Sequence, residues 1–179
     1  KQIKVGNKTF HRIILPSAAS QGHCPTTGQV YVMFAVSTEV DSEELLMSGA
    51  DALGMKVITA MPSMPHSEAT PWDLEPKLKP ATMEWSRRVF LDYEKRAAKH
   101  PSFVGTYQTF EVPLKATGLN AAYQTYGDMA ELFHSIFPNK IFALSPYWDA
   151  NKNGGDMTAS DVAGGIARLA NLDIDIIAP

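Results

Sequence analysis

The chain has 179 residues, 45% of them hydrophobic and 20% charged, which is the composition of a globular domain and not of a disordered, fibrous or membrane-embedded chain. That length is enough for one sizeable core, and a formal charge of −3 supplies no general attraction to nucleic acid or anionic lipid. Glu39, Asp41, Asp51 and Lys56 interrupt the apolar runs before any of them reaches the roughly 18–20 residues of a transmembrane helix, so no membrane span is expected.

At the N terminus the chain opens on Lys1 and not on Met, as expected where an upstream portion has been removed, a cleaved signal peptide being one route. Asn7-Lys8-Thr9 is a glycosylation sequon, with meaning on a eukaryotic secretory route. A secreted or periplasmic protein is the resulting expectation. His11 to Leu15 and Val30 to Val36 both read as strands, but only 14 residues separate them. A strand–helix–strand crossover needs more than that for a proper helix. The two therefore form a hairpin or lid, or part of the natural chain is missing between them. Cys24, the single cysteine, excludes an internal disulfide. Its neighbour His23 is poorly placed to activate it, because catalytic Cys/His partners usually meet across a fold.

From about residue 40 strands and amphipathic helices alternate. Asp41 is an N-cap with Glu44 three residues on, Leu45, Leu46, Ala50 and Leu53 repeat at helical spacing, and Gly54 supplies the stop. Lys56 to Met61 is a short apolar run of buried-strand type, followed over residues 62–80 by a proline-rich loop containing His66, Trp72 and Asp73 and long enough to be functional. A second helix is expected from near Thr82 to His100, with Trp85, Val89, Tyr93 and Ala97 as its core stripe. Phe103 to Tyr107 reads as a strand that delivers Glu111 just past its end. A third helix spans roughly Ala121 to Phe137, with Ala122, Tyr126, Met129, Ala130, Phe133 and Phe137 on one face and Pro138 as its stop. Ile141 to Ser145 is the next strand. A fourth helix near Ser160 to Ala170 carries Gly164 and Gly165 for close packing on a sheet, and a last strand runs from Asp173 to Ala178.

This alternation is the signature of a parallel α/β sheet. A doubly wound sheet would fit the length, but no Gly-rich phosphate turn follows a strand, and Gly154-Gly155 and Gly164-Gly165 lack both the spacing and the preceding strand. The expected fold is therefore a (β/α)8 barrel of TIM type. It would be incomplete, with about six strands present, since a barrel ordinarily needs about 250 residues. Residues 1–179 are expected to form one domain, truncated or partly missing at its C-terminal end. Pro179 closes on a strand whose sheet edge would otherwise stay unpaired.

Barrel enzymes carry their reacting groups just beyond the C-terminal ends of the strands. That rule selects His66, Tyr107, Glu111, Trp148 and Asp149, with Tyr147 next to Trp148 as a further candidate for ligand binding. Carboxylates and aromatics dominate the set, and glycosidic cleavage uses a proton donor with a second carboxylate, while aromatic faces suit sugar rings. Glu111 is the candidate catalytic acid–base, at the mouth of an otherwise neutral strand where partial desolvation would raise its pKa. A loop glutamate bonded to a backbone N–H or to Lys115 explains the same residue equally well. Asp149, before Ala-Asn-Lys-Asn-Gly-Gly, also fits ordinary turn chemistry. Tyr147 and Trp148 either stack on a ligand or cover the barrel mouth, and His66 either reads a ligand or is a solvated loop histidine. The competing chemistry is a metal site in which His66, Glu111, Asp149 and Asp175 converge. No His-x-His or His-x-x-x-His pair supports it, so neither metal nor cofactor is expected.

Gly105-Thr106-Tyr107-Gln108-Thr109-Phe110-Glu111 resembles a strand motif, Gly-aromatic-Tyr-x-x-x-Glu, of a family of glycoside-hydrolase-like barrels known as a domain of unknown function. Ser145-Pro146-Tyr147 matches the family's Ser-Pro-aromatic strand end. Ala50 to Val57 resembles the join before its third strand, and Asp175 to Pro179 its sixth strand, which in the family continues into Gln-Asp. The resemblance spans roughly residues 40–179. It implies that Glu111 ends the fourth strand, where retaining barrel hydrolases place the acid–base, and that the nucleophile ends a seventh strand that this chain lacks. Thr106 departs from the aromatic that the family prefers. The function so implied is a carbohydrate-active hydrolase with a carbohydrate ligand. A non-catalytic carbohydrate-binding or assembly protein on the same scaffold is the alternative, and a metal-dependent hydrolase a third.

Overall fold

A computed structural model of the chain describes residues 3–5, 8–10, 41–62, 79–148 and 157–179. The strands expected at His11 to Leu15 and Val30 to Val36 lie outside the described residues, as do Cys24, His66 and Asp149. Two short strands that the sequence reading did not anticipate, β1 (Ile3–Val5) and β2 (Lys8–Phe10), pair antiparallel with Ile3 opposite Phe10. Gly6-Asn7, the two residues that join them, are a recognised hairpin signal.

Helix α1 (Ser42–Ala52) begins where the Asp41 carboxylate accepts the backbone N–H groups of Glu43 and Glu44, each at 3.2 Å. Its buried side consists of Met47 and Ala50, whereas Leu45 (66%), Leu46 (58%) and Leu53 (76%) are exposed. Periodicity marks the apolar stripe, but neighbours decide which edge of it is covered. Strand β3 (Val57–Ala60) follows. Helix α2 (Lys79–Arg96) opens with Pro80 in its first turn, where a missing N–H costs nothing, and buries Trp85, Val89 and Tyr93, with Ala97 just beyond it. Strand β4 (Phe103–Gln108) leads to α3 (Asn120–Ile136), whose expected face is buried from Ala122 to Phe133 and continues to Phe137. After β5 (Ile141–Leu144) comes α4 (Ala159–Ala170). It starts in a reciprocal cap: Thr158 Oγ1 accepts from Asp161 N, and Thr158 N donates to the Asp161 carboxylate, both at 3.1 Å. The last strand, β6 (Ile176–Ile177), is only two residues long. It is shorter than the strand expected from Asp173, because the stretch before it is a turn and Asp175 uses its side chain, at 2.7 Å, to bond Phe142 N.

The main sheet has the order β3-β4-β5-β6 with every neighbouring pair parallel. Sequence order and spatial order coincide, so the described sheet lacks the reversal that defines a doubly wound fold. Among the described residues β3 and β6 each have one strand neighbour. Among the described residues the architecture is thus a mixed α/β fold, with a four-stranded parallel sheet, four helices and the separate antiparallel pair β1-β2.

The sheet's two faces differ. Phe103 meets Tyr93 and Phe137, Gln108 Nε2 meets Met129 Sδ at 3.0 Å, and Phe142 meets Phe133, so this face is packed against α2 and α3. Phe133 is the hub of that layer, with the rings of Phe90, Phe137 and Phe142 all within 5.7 Å of its own. The register places Ile58, Gly105 and Ile141 together, then Ala60, Tyr107 and Ala143, on the opposite face. That second face is apolar and includes the partly exposed Ile58 and Ile176.

Candidate functional site at the carboxyl rim

Because the four strands are parallel, their C-terminal ends share one rim, where β3 ends at Ala60, β4 at Gln108, β5 at Leu144 and β6 at Ile177. Tyr107 stands at the end of β4, half-buried on the second face. Beyond it the chain does not leave the sheet. Pro113 forms an isolated parallel bridge with Tyr147, in which Tyr147 N donates to Val112 O (3.1 Å) and Leu114 N to Tyr147 O (2.9 Å). This extension brings the Glu111 segment alongside Tyr147 and Trp148. Both aromatics are exposed, at 42% and 55%.

The backbone on either side of Glu111 is held. Phe110 and Val112 are buried. Phe110 N donates to Gln108 Oε1 (3.0 Å), and Phe110 O accepts from the Tyr126 hydroxyl (2.8 Å). Downstream, Tyr123 Oη donates to Pro113 O at 3.2 Å and accepts from Lys115 N at 3.1 Å. The Arg168 guanidinium lies 3.8 Å from the Tyr123 ring centre and donates to Lys115 O, Gly118 O and Asn120 Oδ1. A loop carrying a charged residue is therefore pinned by α3 from below and by α4 from the side. Gly165 completes the fit, since a Cβ there would stand 2.6–2.8 Å from the backbone of Leu114 and Lys115. The Gly164-Gly165 pair was expected to pack on the sheet. It packs instead on this post-strand segment.

Glu111 itself is exposed, and among the described residues its carboxylate has no hydrogen-bond or ion-pair partner. The expected partial desolvation is thus not supplied by the described residues, and neither is the alternative bond to Lys115. Asp161, at the start of α4, is committed to Thr158. His66 and Asp149 cannot be placed on the rim, since both lie outside the described residues.

Asp175 is placed elsewhere. It precedes β6 and so lies on the amino rim, away from Glu111, where it approaches His134 Nε2 at 3.0 Å. The His66, Glu111, Asp149 and Asp175 set therefore does not converge, because Glu111 follows its strand and Asp175 precedes its own. Two histidine–carboxylate clusters occupy that amino rim. One is His134 with Asp173 and Asp175, and the other His100, whose Nδ1 stands 2.6 Å from Asp51 while Asp51 also accepts Ser102 N at 2.7 Å. Both join elements far apart in sequence. No sequence signal pointed to either cluster; Tyr123 and Tyr126, two aromatics in the first turns of the helix after Glu111, were the available hint of the loop anchor.

Among the described residues no helix is long and apolar enough to cross a membrane. No family model matches this chain, and no curated protein or solved structure matches it.

Proposed function

We propose that the chain is part of a glycoside-hydrolase-like (β/α)8 barrel, and that its carboxyl rim binds carbohydrate and supplies Glu111 as a proton donor for cleavage of a glycosidic bond. The singly wound order of the sheet, its apolar second face and the shared rim support this reading. A parallel sheet needs cover on both faces, and barrel closure provides it by turning one face inward. The observation that carries the proposal is a contrast at one residue. The backbone around Glu111 is fixed by Gln108, Tyr126 and Tyr147, while its side chain is exposed on a segment that pairs with the one carrying the exposed Tyr147 and Trp148. A functional group held this way needs little reorganisation on meeting a ligand. Tyr147 and Trp148 would stack on the apolar faces of sugar rings, with Tyr107, His66 and Asp149 reading hydroxyls.

A non-catalytic carbohydrate-binding protein is the second reading. The exposure of Glu111 favours it, because a general acid is ordinarily tuned by partial burial. Glu111→Gln and Trp148→Ala, made in the full-length protein, separate the two readings when assayed against a panel of soluble oligosaccharides for binding and product release. The hydrolase reading expects Glu111→Gln to keep binding and to lose about 10²–10⁴-fold in turnover, the usual contribution of a general acid. Binding without turnover by the full-length protein, seventh strand included, supports the binding protein. Failure of Trp148→Ala to weaken binding to any sugar bound by the parent removes the rim from both readings.

A further inference from the structure

We infer that His134 is a pH-responsive clamp: as an imidazolium it ties the turn before β6 to the end of α3, and its deprotonation loosens β6 from the sheet. The ring stands in the last turn of α3, where a helix end favours a cation. Nδ1 lies 2.7 Å from Asp173 Oδ2. Nε2 lies 3.0 Å from Asp175 Oδ2 and 3.1 Å from the Lys140 carbonyl. Each of these partners is an acceptor. A neutral imidazole has one N–H and must turn a lone pair toward an acceptor at its other nitrogen, whereas an imidazolium donates from both. Burial of the ring opposes the charge, but Asp173 and Asp175 outweigh it and hold the His134 pKa above its ordinary value.

The charged groups around the ring are few. Asp173 and Asp175 come from the turn before β6. Lys140, from the turn before β5, directs Nζ to the Phe103 carbonyl at 2.6 Å. The ring edge packs on Phe133, and Pro138, Asn139 and Ile141, which complete the walls of the adjoining cleft of about 310 Å3, carry no titratable group. Both ring nitrogens face carboxylates of the turn before β6, which is the geometry of a tie between two elements.

Strand β6 is short enough for this to matter. Beside its two-residue ladder it is attached through Asp175 N to Phe142 O and Ala178 N to Leu144 O, both at 3.0 Å, and through the Asp175 carboxylate on Phe142 N at 2.7 Å. That carboxylate oxygen is the one His134 approaches. Edge elements with so few bonds are the first to open. The far end of β6 lies on the carboxyl rim, so the amino rim sets the order of a strand bordering the candidate site.

The raised pKa fixes the sign. The clamp is fully present below the unfolded-state pKa of His134 and is lost as the pH rises through the folded-state value. Proton NMR of the His134 ring in the folded chain and in urea measures both midpoints, and native-state hydrogen exchange measures opening at Ala178 and across β4. The folded midpoint is expected above the unfolded one. The opening constant at Ala178 should climb as pH passes it, tenfold for each pH unit of displacement, with β4 unaffected. His134→Gln should abolish that climb, and Asp173→Asn should move it to lower pH. A folded midpoint at or below the unfolded one overturns the clamp, and so does an opening constant that stays level while the ring titrates. If His134→Gln does not fold, the shift in Asp173→Asn decides.

Discussion

Replacing Phe133 by Ala tests whether α3 is docked by the aromatic layer described above. Phe133 is fully buried in α3, and its ring touches those of Phe90 on α2, Phe137 beyond α3 and Phe142 on β5. Truncation removes a whole ring from a site whose neighbours are themselves rigid rings on three separate elements, so the cavity can collapse little. Such losses cost about 3–5 kcal/mol. A chain of this size shifts its melting temperature by about 2–4 °C per kcal/mol, so Phe133→Ala should melt about 6–20 °C below the parent. Leu45→Ala is the control. It also removes an apolar side chain from a helix, but Leu45 is mostly exposed, and such surface changes stay within about 0.5 kcal/mol. Calorimetry or circular dichroism in the same buffer compares the two. Equal shifts, or a larger loss at Leu45, would refute the placement of the core between α2, α3 and the sheet.

The glycines of two helices should respond in opposite directions. Gly49 in α1 has open space around a built Cβ, so Gly49→Ala should stabilise by about 0.5–1 kcal/mol. Gly165→Ala drives a Cβ into the backbone of Leu114 and Lys115, where overpacking costs about 1–3 kcal/mol, only partly offset by better helix propensity. A urea melt of each variant reads the sign, and a stabilised Gly165→Ala would show that α4 does not press on the rim loop. Acid titration tests α2. Arg87 and Arg88, bonded to the Glu84 carboxylate at 2.7–2.8 Å, hold its pKa down to about 2. A depressed carboxylate contributes stability above its unfolded pKa and loses it as pH falls toward the folded one. Being on the surface, each pair is worth only about 0.3–0.5 kcal/mol. The stability of Glu84→Gln should therefore fall less steeply than that of the parent between pH 4.5 and 2, and identical slopes would remove the ion pairs from consideration.

Much of the chain from Asp41 onward was legible because helix and strand signals are local. A 3.6-residue apolar repeat with a capping carboxylate at Asp41 and a proline after α3 dictates backbone geometry wherever the chain lies. The stripes Trp85–Val89–Tyr93–Ala97 and Ala122–Tyr126–Met129–Phe133 are buried as their spacing requires. Strand–helix alternation likewise implied parallel pairing, since a crossover helix returns the chain to the same end of the sheet.

What remained hidden depends on pairs distant along the chain. Leu45 and Met47 are equally apolar, and only the packing of α1 near Ser102 buries one and leaves the other in solvent. Asp175 and Glu111 are both carboxylates next to strands, yet one precedes its strand and the other follows it. In a parallel sheet that difference puts them on opposite rims. His134 gains its carboxylates from residues 39 and 41 positions away, and no periodicity encodes that meeting. From Asp41 onward the sequence alone thus determined the described elements and their order, because those follow from short-range sterics and hydrogen bonding. Tertiary structure alone decided which faces are covered, which loops are pinned and which titratable groups share an environment, because these are set by the summed packing of the whole chain.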